Sequence, residues 1–345
     1  MKAIVKTRKG RGFIEVRDMP EPEPGPGEVK IRVSACGVCG SDIHVWHDTF
    51  PYWPPVILGH EFAGTVVKTG PGCRMFREGD RVVAEPHTRA CGVCPLCRTG
   101  NIQICPDKRS PGWGIHGGMA EYIAYPEALL HRIPDHMTWD QAAMVEPTAN
   151  IVHDLLERTG FVAGDLAVVV GPGPIGLLAA LVARAAGARD VVIIGTQADE
   201  SLRLAKAREL GFGHVLNVEK ADPVKEVMAL TGGQGADVVV ECSGAPGAIS
   251  GTVDLVKKCG SICAIGLAGG RNVELPWDKF QFRVVRLVFN LSTSYTSWDR
   301  AINLIAGGAV PAEKVVTHRA PLDHWEKVFT DIVELRALKA LMIPV

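Results

Sequence analysis

Over the first 150 residues apolar and polar positions alternate in short runs, with Val29, Ile31 and Val33 set against Lys30 and Arg32 and a Pro/Gly-rich stretch before them at residues 20–27. A period of two broken by such turns predicts short, mostly antiparallel strands. Beyond residue 166 the pattern changes: apolar runs at 167–170, 191–194, 214–217, 237–240 and 261–265 alternate with amphipathic stretches. Strands separated by helices predict a doubly wound parallel sheet, which the apolar run 284–289 closes. In the helix that follows 191–194, Leu202, Ala205 and Leu210 are expected on one face, with Gly211 as its stop. The chain then resumes mixed character through Trp298 and Ile302 and ends in a strand at 338–345. The expected organisation is therefore 1–149, 150–291 and 292–345, the middle segment being inserted into a domain made by the other two. There is no repeat of solenoid period and no low-complexity tract.

One uncharged run, 166–183, approaches membrane length, but Gly171, Pro172, Gly173, Pro174 and Gly176 would break a helix in its first half. It reads as strand, turn and helix. With 345 residues, 47% of them hydrophobic and 22% charged, the chain can bury the cores of two domains, which excludes intrinsic disorder. Lys plus Arg at 37 against Asp plus Glu at 38 leaves no broad field to draw the chain to nucleic acid or anionic lipid. Lys2, Lys6, Arg8 and Lys9 are followed by no apolar stretch, so the reading is a cytoplasmic protein with no membrane partner.

Ten cysteines in such a chain favour metal over disulfides, and four of them cluster as Cys91, Cys94, Cys97 and Cys105. This C-x2-C-x2-C-x7-C spacing, with Gly92, Pro95 and Gly100 in the loops, suits four thiolates around one zinc. Four protein ligands leave no position for substrate, so the expected role is structural. An iron–sulfur cluster also takes four cysteines, but the ferredoxin spacing is absent.

Between a predicted strand and an apolar helix stands Gly171-Pro172-Gly173-Pro174-Ile175-Gly176, a G-x-G-x-x-G. In that context Gly171 allows the tight turn, Gly173 the approach of pyrophosphate and Gly176 close helix packing, while helix amides meet the phosphate. A dinucleotide is the expected ligand. An acidic residue at the end of the second strand normally meets the ribose of NAD, but Thr196 stands there, and Asp199 follows only after a small insertion, with Arg203 farther along. NAD and NADP are both compatible with that ending.

A second set of ligand types surrounds Cys39-Gly40-Ser41-Asp42-Ile43-His44 and Gly59-His60-Glu61. Together with the glycine loop and the cysteine lobe, these motifs resemble the zinc-dependent medium-chain dehydrogenases, and over nearly its whole length the chain looks most like their polyol, sorbitol-type branch. The resemblance implies a Rossmann domain inserted into a mainly β GroES-like catalytic domain, a homodimer or homotetramer, and one catalytic zinc besides the structural one. It makes Cys39 and His60 catalytic-zinc ligands and Asp42 the carboxylate that orients His60 through its other ring nitrogen. Glu61 becomes an occasional ligand that exchanges with water. Glu146 stands where other members place a cysteine, either binding zinc or holding its water. Ser41 and His44 become the proton relay, and Trp46 and the turn 113–116 line the pocket; Glu85-Pro86 is a further mark of the polyol branch.

The implied reaction is hydride transfer between a secondary alcohol, a polyol above all, and NAD(P). A threonine-type or simple secondary-alcohol dehydrogenase shares most of these motifs. A zinc-free quinone reductase would need none of the metal ligands, and a zinc-ribbon nucleic-acid binder would need a basic surface. A non-catalytic protein that binds dinucleotide and zinc is the alternative outside enzymes.

Overall fold

The alternating runs of the first 150 residues join two C-terminal strands in a seven-stranded sheet in the computed structural model, which describes residues 1–344. Its order is Val316–Pro321, Lys339–Ile343, Glu28–Gly37, Glu61–Thr69, Arg81–Ala84 and Leu130–Arg132, with Tyr122–Pro126 also paired to Glu28–Gly37. A smaller sheet joins Lys2–Lys6 to Ile14–Asp18 and Val56–Ile57. Val29, Ile31 and Val33 point into a core shared with Phe62, Tyr125 and Phe329, as their alternation requires. This first unit comprises Met1–Glu146, Thr293–Gly307 and Val316 onward; the second comprises Pro147–Ser292 and Gly308–Val315.

The second unit carries six parallel strands in the order His214–Asn217, Asp190–Gly195, Leu166–Val170, Ala236–Glu241, Val256–Ala264 and Arg286–Phe289. With helices such as Pro174–Ala185 between strands, this is the doubly wound order of a dinucleotide domain. The run 166–183 does divide into strand, turn and helix. Among the described residues no helix is long and apolar enough to cross a membrane.

Several local expectations are corrected. The helical face buried near residue 205 is Leu204, Ala207 and Leu210, and Ala205 is exposed. The cause is a wide π-type turn at Glu200–Leu204, which rotates the phase before the Ala205–Glu209 helix begins. Val284 does not open the last strand of this sheet: it caps the Trp277–Arg283 helix in the left-handed conformation at φ 53°, and the strand starts at Arg286. The Val256–Ala264 strand begins five residues before 261, directly on the end of the Pro246–Leu255 helix. The last strand is Lys339–Ile343; Val345, to which it was expected to run, lies outside the described residues.

Candidate metal centres and dinucleotide site

Strand register explains why residues 39 and 60 meet. Glu28–Gly37 and Glu61–Thr69 are antiparallel, with Gly37 opposite Glu61, so the residues just beyond each end of that pair converge. Cys39 caps the Gly40–Trp46 helix, and Asp42 in its first turn accepts the Cys39 amide at 2.9 Å. Donor atoms of Cys39, His60 and Glu61 all lie within 4.8 Å of one another. The second carboxylate oxygen of Asp42 accepts the Gly59 amide at 3.3 Å, so Asp42 fixes the two backbone segments that carry Cys39 and His60. It does not take the expected hydrogen bond from the His60 ring, whose buried Nδ1 has no hydrogen-bond partner.

The cluster favours positive charge at His60. Burial would depress the His60 imidazole, but the Cys39 sulfur, Asp42 and Glu146 outweigh it and push it up to about 10. A site of one thiolate, one imidazole and nearby carboxylates fits zinc, with soft and borderline donors and a buried ring nitrogen awaiting a partner. Glu146, buried in the Val145–Ile151 helix, acts on His60 through its charge and stands outside the 4.8 Å group. Ser41 presents a buried hydroxyl with no partner, and His44, three residues on, bonds Thr49 Oγ1 through Nδ1 at 3.0 Å. The Trp113 ring packs edge-on against His60 at 4.7 Å and against Phe50 at 5.3 Å, forming an apolar wall.

Trp46 and His116, two expected pocket residues, and Glu85 are engaged by neighbours of their own. Trp46 turns into the core against Trp325 and Phe329. His116 accepts the Ile57 amide and lines a different groove, beside Trp53 and Arg89. Glu85 takes a histidine partner: it receives His131 Nε2 at 2.8 Å, while His131 Nδ1 meets Asp299 at 2.9 Å.

Two residues were invisible to sequence reasoning. Lys339 is buried and donates from Nζ to Glu61 and, at 3.0 Å, to the Val38 carbonyl. Burial alone would lower its ammonium, but Glu61, Cys39 and Glu146 hold it above the ordinary lysine range. Lys108, three residues after Cys105, donates to the Gln103 carbonyl at 3.1 Å; burial lowers it to about 8 against the pull of Glu146 and Cys105. No motif marks either lysine.

In the cysteine lobe the sulfurs of Cys91 and Cys97 are 4.0 Å apart, those of Cys94 and Cys105 4.0 Å, and those of Cys91 and Cys105 3.7 Å. A zinc–sulfur bond of about 2.3 Å gives tetrahedral edges of about 3.8 Å, so the four positions fit zinc as they stand. Amides of Cys91, Cys94 and Cys97 point at neighbouring sulfurs at 3.3–3.4 Å and stabilise the thiolates.

In the second unit Gly171 adopts φ +98°, and Gly176 approaches so closely that a Cβ there would lie 1.9 Å from the Gly171 carbonyl oxygen. Gly173 caps the helix and Pro174 opens it, while Ile175 stands in its first turn. Beside this turn is a mostly apolar cavity of about 460 Å³, bounded by Gly171, Pro172, Gly195, Thr196, Asp199 and Ala245. The insertion after Thr196 folds back, so that Asp199 accepts the Thr196 amide and hydroxyl, both at 2.9 Å, and Arg203 at 3.0 Å. A carboxylate therefore does stand at the end of the second strand, matched by a guanidinium.

Comparison with known proteins accords with these sites. Residues 25–135 match the alcohol dehydrogenase GroES-like domain family and residues 174–307 the zinc-binding dehydrogenase family. Sorbitol dehydrogenase of Halalkalibacterium halodurans is 38% identical over 345 residues, covering 100% of both chains. D-arabitol-phosphate dehydrogenase of Enterococcus avium is 33% identical, over 99% of this chain and 97% of its own. Among solved structures, a zinc-binding dehydrogenase from Sinorhizobium meliloti 1021 bound to NADP superposes with a TM-score of 0.91 at 33% identity, covering 99% of each chain.

Proposed function

Because the chain belongs to the zinc-binding alcohol dehydrogenases, enzymes that pair a GroES-like domain with a dinucleotide domain, we propose that it oxidises a secondary hydroxyl of a polyol to the ketone. The observation that carries this reading is the convergence of Cys39, His60 and Glu61 in a buried site whose further anion is the carboxylate Glu146. Polyol and polyol-phosphate dehydrogenases among the relatives support the substrate class.

When bound, zinc supplies a Lewis acid that lowers the pKa of an alcohol, and NAD(P) supplies the hydride acceptor. Cys39 and His60 would hold the metal, with Glu146 as third ligand or as the group that holds its water. The Ser41 hydroxyl, unengaged in the fold, would accept the proton of the substrate hydroxyl as it gives up its own, which the cofactor ribose and His44 would pass towards water. Trp113 keeps water from one side of His60. In the second unit the turn 171–176 would hold the pyrophosphate of the dinucleotide, with Thr196 and Asp199 at the end of the second strand available to its adenosine ribose. Asp199 is neutralised by Arg203, and this balance accommodates NAD and NADP alike.

The test is a panel of pentitols, hexitols, their phosphates, threonine and short diols, each with NAD and with NADP. A polyol or its phosphate is expected to exceed threonine and simple diols in kcat/KM by at least about tenfold, the discrimination that hydrogen bonds to additional substrate hydroxyls would supply. Preference for threonine would overturn the substrate class, and absence of turnover throughout would favour a binding protein. Ten free cysteines suit the reducing cytoplasm, where we place the enzyme.

We further propose a homodimer, or a tetramer of such dimers. Among the described residues Arg286–Phe289 is one of the two edges of the parallel sheet, and Phe282, Val284, Phe289 and Leu291 around it are exposed. An apolar edge of this kind is covered when the same strand of a second copy pairs with it about a twofold axis. Light scattering is expected to give at least a dimer for the parent and a species of half the parent's mass or less for Phe289→Glu. A monomeric parent would remove the proposal.

A further inference from the structure

Three strands meet at Gly37. The strand Glu28–Gly37 lies between the other two, with Gly37 opposite Glu61 on one side and opposite Leu341 on the other. Lys339, two residues before Leu341, is thereby brought level with the Val38–Cys39 turn. A Cβ on residue 37 would lie 2.0 Å from Glu61 Oε2, so the missing side chain is the passage through which the carboxylate reaches Lys339. Glu61 is 1% exposed and Lys339 3%. The same carboxylate is within 4.8 Å of the Cys39 and His60 donor atoms. It therefore has two cationic destinations, the ammonium on one side and a metal on the other.

We propose that Lys339 is a positioning residue that holds Glu61 off the catalytic metal and so keeps open the coordination position the substrate needs. The inference rests on the zinc reading above. A metal that took Cys39, Glu61 and Glu146 together would carry three anionic neighbours and lose acidity; the ammonium withdraws one of them. Fold stability alone is a poor reason for the pair, because a buried ion pair contributes no more than well-packed apolar groups of similar volume.

The two roles differ in sign. If Lys339 is only structural, its loss loosens the site and the metal leaves faster. If it restrains Glu61, Lys339→Met frees the carboxylate to bind, and the metal leaves more slowly. The experiment follows zinc transfer from the holoenzyme to a chromogenic chelator, the catalytic ion being identified as the phase absent from Cys39→Ala. Lys339→Met is expected to slow that phase by about tenfold or more, the range over which partners of metal ligands alter affinity. The cobalt-substituted variant should no longer change its visible spectrum on addition of imidazole, whereas the cobalt-substituted parent should. Lys339→Arg, which keeps the charge, should restore the parent's release rate.

A lone Lys339→Met chain that fails to fold leaves the double variant Glu61→Gln/Lys339→Met, which buries no unpaired charge. It is expected to release zinc at least as fast as the parent and to keep a cobalt spectrum responsive to imidazole. Faster release from Lys339→Met, or a double variant that holds zinc more tightly than the parent, overturns the proposal. A parent with no Cys39-dependent zinc phase overturns the zinc reading itself.

Discussion

Cys39→Ala is expected to leave one zinc ion per chain in place of two and to lower kcat/KM by roughly a thousandfold or more, with the fold retained. The magnitude follows from losing about 4 kcal/mol of Lewis-acid assistance, at about 1.4 kcal/mol for each factor of ten. The fold survives because Asp42 holds the amide of residue 39, not its sulfur, and that bond is available to alanine. Cys39 is also only half-buried at a helix start, so truncation hollows no core. Metal analysis, circular dichroism and steady-state kinetics on one preparation check all three outcomes. Equal zinc in variant and parent would remove Cys39 from the ligand set.

Cys91→Ala should act on stability first. In the lobe between Cys91 and Cys105 the Pro95–Arg98 helix buries no residue, Val93 is 76% exposed and Ile104 41%. Only Leu96 and Ile102 are half-buried among its apolar side chains, too little to hold these loops without the metal; zinc binding contributes about 10–16 kcal/mol in small zinc domains. Removal of one ligand is expected to unfold the lobe, open residues 91–105 to protease and lower Tm by roughly 5–10 °C, at about 2–4 °C per kcal/mol. Activity should fall as well, because Lys108, whose charge interacts with Glu146, hangs from the same loop. Limited proteolysis and calorimetry of zinc-replete protein are the measurements. An unchanged cleavage pattern at one zinc per chain would mean that the lobe is held by something other than the ion.

How much could be read from the sequence depended on how local each arrangement is. The four cysteines and the glycine turn lie within short segments, so their spacing alone carries most of their geometry. Cys39 and His60 are farther apart, and the ligand types around each had to be joined by resemblance; the register that unites them, Gly37 opposite Glu61, carries no signature. Side-chain direction was the weakest inference. Trp46 and His116 have the chemistry of pocket residues, yet which way each turns is decided by Phe329 in one case and the Ile57 amide in the other. The buried face of the helix near residue 205 was misread because the Asp199 turn and the wide turn after it shift the helical phase. Val284 looked like strand because it is β-branched, and its left-handed cap position is one such residues rarely occupy.

The bond between Glu61 and Lys339 spans 278 positions of the chain. At about 5–20 residues per second, the carboxylate leaves the ribosome roughly 14–56 s before its lysine does. Throughout that interval the nascent β-domain contains an acidic group it cannot inter without a counter-charge, while the whole parallel sheet is translated and free to fold. Biogenesis thus has a natural sequence: nucleotide domain first, metal pocket last, when the strand bearing Lys339 slots in beside Gly37.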